Sequence, residues 1–538
     1  MRRVRVLRDL IVAMPDGVNL LADRWFPAGD ERAPVILIRS PYGRSGLIGR
    51  LYGRGFAKHG FQVVIQSCRG GFGSGGLPDP LGDERDDGLA TVAWLREQPW
   101  YHGSFAMFGP SYLGFTQWAV AAEAGPELKA MATQITASQF RDAAYVGGAF
   151  ALESALGWTA LTDPGSPFMP VTSMLTVPRA TRRAALSGRP VGELDLLTSG
   201  HPLRFFQELL AHHADPAVPY WDKRDFHPRV GEVEAAVTML GGWYDVFLPW
   251  QIKDYLAMRA AGRRPYLTIG PWYHVDPRHG RPTMAEAVAW FRAHLLGDPS
   301  GLRPDPVRLY VTGAGQWRDY PDWPVPGMRE QRWHLQHGFG LGREGPRPAG
   351  PDRFRYHPAH PTPVIGGPVL LADSRPRDQR RLEARRDVLV YSSPALDADV
   401  ELIGPVTAEL FVRSSTPYVD VVVRLCDVHP GGRSLNLSEG VRRLGPDDGA
   451  ATVDGVRRVL VDLWPIGHRF KRDHRIRVHV AAGAYPTIAR NPGTGHPLAA
   501  GGPMIPADVE VFHSPERPSA LLLPRVPAQG RSACAPRG

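Results

Sequence analysis

Cysteine is nearly absent: 538 residues carry three, Cys68, Cys426 and Cys534. They form no CxxC pair, no metal-ligand spacing and no disulfide framework, which excludes a disulfide-stapled scaffold and suggests a reducing, cytoplasmic setting. Lysine is scarce too, at five residues against 58 arginines. The formal charge of +9 is therefore an arginine excess spread along the whole chain. Clusters such as Arg385-Arg386 and Arg442-Arg443 stay isolated, so the charge reads as solvated faces and not as a nucleic-acid groove. No stretch reaches 18 apolar residues, so no membrane span is expected. The run Leu10 to Met14 is too short for a signal-peptide core and has no small-residue cleavage site. Pro15-Asp16-Gly17 follows it and Val18 to Ala22 resumes beyond, the pattern of a β-hairpin.

What is present is ordinary globular composition, 43% hydrophobic and 22% charged, which excludes disorder and collagen. The length suggests three or four domains at about 150 residues each. The first third alternates strand and helix signals. Ala33 to Arg39 and Phe61 to Gln66 are continuous apolar runs, as in strands buried on both faces. Asp86 to Trp100 reads as a helix with acids in its first turn, Gly103 to Gly109 as a strand, and Leu113 to Ala124 as a helix. This order predicts a parallel sheet covered by helices. From Gln139 to Val230 strand signals vanish and helical pieces (Phe150 to Leu161, Pro202 to His212) lie between loops, the texture of an all-helical cap. Strand signals return at Ala235 to Gly241 and Tyr266 to Gly270.

After Gly327 short β-branched strands take over: Val388 to Ser392, Pro405 to Ser414, Val419 to Val428, Val456 to Leu463, His474 to Ala482 and Val509 to Phe512. In His474 to Val480 apolar residues alternate with Arg and His, so an antiparallel sheet with one wet face is expected, arranged as a sandwich or jelly roll. The expected division is therefore 1–138 and 232–327 for a discontinuous α/β domain, 139–231 for the cap, 328–525 for the jelly roll and 526–538 for a flexible tail.

Gly71-Phe72-Gly73-Ser74-Gly75-Gly76 contains GxGxxG after a strand. A dinucleotide site needs a helix to open there so that its amides hold a pyrophosphate. Pro78 and Pro80 delay any helix to about Asp83, so a tight loop is expected instead. The stronger signal is Gly109-Pro110-Ser111-Tyr112-Leu113-Gly114, a GxSxxG run between a strand and a helix. A serine on that turn projects its hydroxyl away from the sheet, over a helix N-terminus. A helix-capping serine is the bland alternative. Serine needs a base held by an acid. Asp245, after Ala235 to Gly241, and His274, after Tyr266 to Gly270, lie at C-terminal strand ends in the expected chain order Ser, Asp, His. Asp276 is a rival acid that breaks this order. One oxyanion donor should be the backbone N–H of Tyr112. The second should come from Ser40-Pro41-Tyr42-Gly43, which has no HGGG run, so the Tyr42 phenol is a candidate.

The runs PYGR, CRGGFGSGG, GPSYLG, GGWYD and GPWYH together resemble the CocE/NonD family. That family is similar to the S15 X-prolyl dipeptidyl peptidases, the α-amino acid ester hydrolases and cocaine esterase. The resemblance runs from MPDGV to the last LLLP strand. It implies an α/β-hydrolase domain with an inserted helical cap and a C-terminal all-β jelly roll. It implies Ser111 as nucleophile, Asp245 as acid and His274 as base. It also implies Tyr42 and the Tyr112 amide as oxyanion hole, with Trp158 and Phe247 near the acyl pocket.

The leading expectation is a serine hydrolase cleaving a small-molecule ester or amide through an acyl-enzyme, an esterase first and an Xaa-Pro dipeptidyl peptidase second. An acyltransferase with the same triad is a third reading, and a catalytically dead carbohydrate-binding protein a fourth. A metal-dependent hydrolase built on His274 and His279 lacks a completing ligand. No cofactor, metal, nucleic acid or membrane is expected, and a homodimer is left open.

Overall fold

A computed structural model describes residues 3–30, 32–163, 170–212, 219–448 and 454–527; most of the expected tail, and Cys534 with it, lies outside them. Compactness divides the chain into two units: Met1–Tyr145, Leu152–Pro306 and Pro368–Asp373 in the first, and Val146–Ala151, Val307–Gly367 and Ser374–Gly538 in the second.

The first unit is built on eight strands: β1 (Val4–Ala13), β2 (Asn19–Pro27), β3 (Val35–Ser40), β4 (Gln62–Ser67), β5 (Phe105–Pro110), β6 (Leu128–Gln134), β7 (Ala236–Gly242) and β8 (Tyr266–Gly270). They lie in the order β1-β2-β4-β3-β5-β6-β7-β8. The β1–β2 hairpin turns through Pro15-Asp16-Gly17 and joins β4 antiparallel; from β4 to β8 every pairing is parallel. Every residue of β3 and β4 is buried, because a parallel sheet with helices on both faces leaves no strand face wet. β6 was not evident from sequence: LKAMATQ has one β-branched residue, and its strand state comes from pairing with β5 and β7. On one face Trp25, Ile36, Phe56, Phe108, Trp290 and Phe291 form a continuous core.

The GxGxxG segment is a loop, as its prolines require. Gly70 has φ +74°, and a Cβ there would lie 2.5 Å from Pro78. The helix that follows is Glu84–Arg96, with Glu84, Asp86 and Asp87 in its first turn.

Residues 139–231 are not all helical. The helices Leu152–Thr162, Pro170–Ala185, Leu194–Ser199 and Arg204–Ala211 belong to the first unit. Residues 146–151 instead join the second unit, where Arg443 N–H donates to the Gly147 carbonyl and Ala489 N–H to that of Phe150, both at 2.8 Å. Only backbone pairing with distant strands decides this, and no local pattern announces it.

The second unit is β-rich; its strands pair antiparallel apart from Gly340 to Ser392, and isolated parallel bridges join Thr312 to His468 and Pro363 to Tyr485. The central strand Val419–Val428 pairs with Ser434–Leu444 on one side and Arg475–Ala481 on the other. All ten of its residues are buried. In Arg475–Ala481 the expected alternation holds for Arg475 and Ile476 but fails at His479, which is buried and bonded to Glu383 Oε1 at 3.0 Å. Besides 146–151, the unit takes in the chain from Val307 onward apart from Pro368–Asp373. The hairpin Val307–Val311/Gln316–Tyr320 ties into it through Thr312 N–H, which donates to Gly467 at 2.9 Å, and Arg318, which pairs with Glu401 at 2.5 Å.

Candidate active site

Ser111 sits between β5 and the helix Tyr112–Ala121 with φ +55° and ψ −126°. A side-chain-bearing residue there is strained, and neighbouring bonds hold it. Its N–H donates to the Gln134 carbonyl at 2.9 Å, and the Thr136 hydroxyl donates to its carbonyl at 2.7 Å. The flanking glycines are sterically required. A Cβ on Gly109 would lie 2.3 Å from Leu113 Cβ, and one on Gly114 would lie 2.4 Å from Thr136 Cγ2. The Ser111 side chain makes no helix-capping bond. Its Oγ lies 3.0 Å from His274 Nε2.

β7 and β8 place the other two groups. Gly242 and Gly270 are in register at the ends of these strands, so the segments beyond them leave the sheet side by side. His274 Nδ1 lies 2.9 Å from Asp245 Oδ2, and Phe247 N–H donates to Asp245 Oδ1 at 2.7 Å. Asp245 is fully buried and His274 nearly so. A carboxylate only accepts, so Nδ1 carries the proton and Nε2 presents its lone pair to Ser111. That arrangement can take a proton from a serine hydroxyl and hold the resulting imidazolium. Asp276 is engaged elsewhere, by Arg278 at 2.5 Å.

Tyr42 follows β3. Its phenol oxygen accepts a long hydrogen bond, 3.3 Å, from the Trp158 indole N–H. Burial pushes its pKa up to about 12, so it remains an O–H donor across the working pH range. Tyr112 is the first residue of its helix, so its N–H has no intrahelical acceptor. The Trp158 ring stacks on the Tyr112 ring at 5.8 Å and 15°. One indole thus touches both candidate oxyanion residues. Phe247 sets its ring against His274 at 5.3 Å and stacks on Phe140 at 4.4 Å. Phe205 packs edge-on to Trp158 at 5.5 Å.

Sequence reasoning missed Phe140, Phe205 and a buried anchor beneath Tyr112. The Tyr112 phenol donates to Glu84 Oε1 at 2.8 Å and accepts from Leu81 N–H at 2.8 Å. Glu84 in turn pairs with fully buried Arg39 at 2.7 Å. An acid in a helix first turn reads as dipole compensation; only the fold shows that Glu84 points inward. His279 lies near His274, and burial lowers its pKa.

The fold and this hydrogen-bonded set define an α/β-hydrolase of the serine hydrolase class with a C-terminal β-rich domain. Residues 16–276 match the model of the X-Pro dipeptidyl-peptidase (S15 family), and 301–522 that of the X-Pro dipeptidyl-peptidase C-terminal non-catalytic domain. The chain is 31% identical to cocaine esterase of Rhodococcus sp. (strain MB1 Bresler), over 96% of this chain and 98% of the relative. It shares its fold with an aminopeptidase from Thaumarchaeota archaeon (TM-score 0.83, 22% identity, 97% of each chain). An α-amino acid ester hydrolase is similar in fold too (TM-score 0.82, 23% identity, 97% of each chain). The chain belongs to the CocE/NonD family of serine hydrolases, which is similar to the S15 peptidases.

Proposed function

We propose that this serine hydrolase cleaves carboxylic esters of small molecules through an acyl-enzyme on Ser111. Ser111 Oγ attacks the carbonyl carbon while His274 Nε2 takes its proton and Asp245 stabilises the imidazolium. The carbonyl oxygen becomes an anion facing the Tyr42 O–H and Tyr112 N–H. His274 then protonates the departing alcohol as the C–O bond breaks. Water repeats the cycle: it loses a proton to His274, attacks the acyl carbon and releases Ser111 with the carboxylic acid. The observation that carries this reading is the unbroken chain Ser111–His274–Asp245, at 3.0 and 2.9 Å.

The ester preference rests on the surroundings. Phe247 packs on His274 and Trp158 on Tyr112, and Phe140 and Phe205 pack on those two rings in turn, which suits an apolar acyl group. A dipeptidyl peptidase needs a carboxylate for the substrate ammonium. Several acids of residues 139–231 already have partners: Asp142 with Arg141, Glu193 with Arg189, Glu208 with Arg204, and Asp195 with Leu203 N–H. We read 1–138 with 232–327 as the hydrolase domain, 139–231 as its cap and 328–525 as a jelly roll, a division by sequence that departs from the compact units at 146–151 and 307–327. The buried, free Cys68 and Cys426 support a cytoplasmic setting.

The test is a fluorophosphonate adduct mapped by mass spectrometry, with p-nitrophenyl esters of graded acyl length beside Gly-Pro and Ala-Pro p-nitroanilides. The adduct is expected on Ser111, with Ser111→Ala folded and slower by several orders of magnitude. An adduct on another serine overturns the assignment, and faster turnover of the anilides overturns the ester preference.

A further inference from the structure

Far from Ser111 in sequence, the second unit gathers imidazoles around one carboxylate. Asp427 is the penultimate residue of the strand Val419–Val428, and His429 directly follows the strand's end. His468 lies on Arg457–Phe470, and His474 ends the turn after it. The ligand atoms of Asp427, His429 and His474 all lie within 4.8 Å of one another. His474 Nδ1 is 2.8 Å from Asp427 Oδ1, His468 Nε2 is 3.2 Å from Oδ2, and His429 Nε2 is 3.9 Å from Oδ2. The rings of His429 and His474 are 4.5 Å apart. A tetrahedral ion with bonds of about 2.0–2.1 Å sets its ligands about 3.3 Å apart, and these spacings bracket that value.

His468 is fixed from both sides: its Nδ1 lies 2.8 Å from the Thr312 hydroxyl and its Nε2 3.2 Å from Asp427 Oδ2. Thr312 N–H satisfies the Gly467 carbonyl at 2.9 Å, so the hydroxyl can donate to Nδ1 while Nε2–H donates to Asp427. His468 thereby holds the Asp427 carboxylate in place as an outer partner of the cluster. Asp427, His468 and His474 are buried, whereas the His429 side chain is 38% exposed and gives an ion a way in.

We propose that Asp427, His429 and His474 form a three-ligand, zinc-type site for a first-row divalent ion, with His468 steadying the Asp427 carboxylate. Imidazole nitrogens with one carboxylate select such ions over calcium or magnesium. The ion would clamp the turn at His429 to the turn at His474 and stabilise the second unit by mass action.

The experiment uses the full chain, stripped with chelator, then titrated with zinc chloride by calorimetry and followed by thermal melting. One zinc per chain is expected at micromolar or tighter affinity, with a melting temperature raised by several degrees. His429→Ala, at the partly exposed position, should keep the fold and ester turnover but bind zinc at least about tenfold more weakly. His474→Gln should do the same. His357→Ala, outside the cluster, should bind as the parent does. Absence of stoichiometric binding, or unchanged affinity in both His429→Ala and His474→Gln, overturns the site and leaves a hydrogen-bonded Asp427 centre without metal.

Discussion

The Trp158 indole N–H donates to the Tyr42 phenol oxygen across 3.3 Å. Because Tyr42 accepts there, its own hydrogen is directed to a different acceptor, and in the proposed mechanism that acceptor is the substrate oxyanion. The bond therefore orients a donor before substrate arrives, which is the condition under which such a donor is strong in a dry site.

Tyr42→Phe deletes the hydroxyl and keeps the ring. Turnover on a p-nitrophenyl ester should fall by about 10² to 10³, or roughly 3 to 4 kcal/mol. The Michaelis constant should move only a few-fold, and the melting temperature by a few degrees at most. Near-normal turnover would reassign the second donor to a backbone amide.

Trp158→Phe keeps a ring against Tyr112 but removes the N–H. A smaller loss of turnover is expected, about tenfold. In a double-mutant cycle with Tyr42→Phe the effects should be non-additive, since the indole acts through the phenol. Additive losses would show that Trp158 serves the substrate directly.

Gly114→Ala places a Cβ 2.4 Å from Thr136 Cγ2, with Thr136 Cβ at 2.7 Å. Thr136 also holds the Ser111 carbonyl, so relief of the clash must move the elbow. A destabilisation of about 1 to 3 kcal/mol is expected, read by denaturant unfolding, together with loss of turnover. A variant of parental stability and activity would contradict the close packing.

His513 is fully buried, and its Nε2 meets Asp352 Oδ2 at 2.9 Å. The hydrogen bond to Asp352 raises the His513 pKa above its ordinary value. Against burial, bonds from His513 and Tyr391 hold the Asp352 carboxyl below its own. A raised histidine stabilises the fold fully below the unfolded value of about 6.5, and loses that effect as pH climbs through the raised folded value. The lowered carboxylate contributes above about 3.9 and is lost as pH falls through its lowered value. The pair is therefore strongest between roughly pH 4 and 6.5. The gap in melting temperature between parent and His513→Gln should be widest there and narrow toward pH 9. A constant gap would mean that no ion pair forms.

Local chemistry made much of this protein legible from sequence. Gly109-Pro110-Ser111-Tyr112-Leu113-Gly114 needs only a strand, a helix and two small flanks to mark an elbow, and Asp245 and His274 follow because parallel strands put their C-terminal ends on one edge. The apolar runs of β3 and β4 are equally local, since a strand buried on both faces writes its burial into every residue. Other features had no local signature. The strand state of β6 comes from its neighbours, and residues 146–151 join the second unit through backbone bonds to residues hundreds of positions away. Glu84 became an anchor for Tyr112, and Trp158 a donor to Tyr42, only when the fold brought separate segments together. The cluster of Asp427, His429, His468 and His474 is likewise a product of antiparallel register. Sequence records what a residue needs from its near neighbours; which distant residue meets that need is decided by the packing of the whole chain.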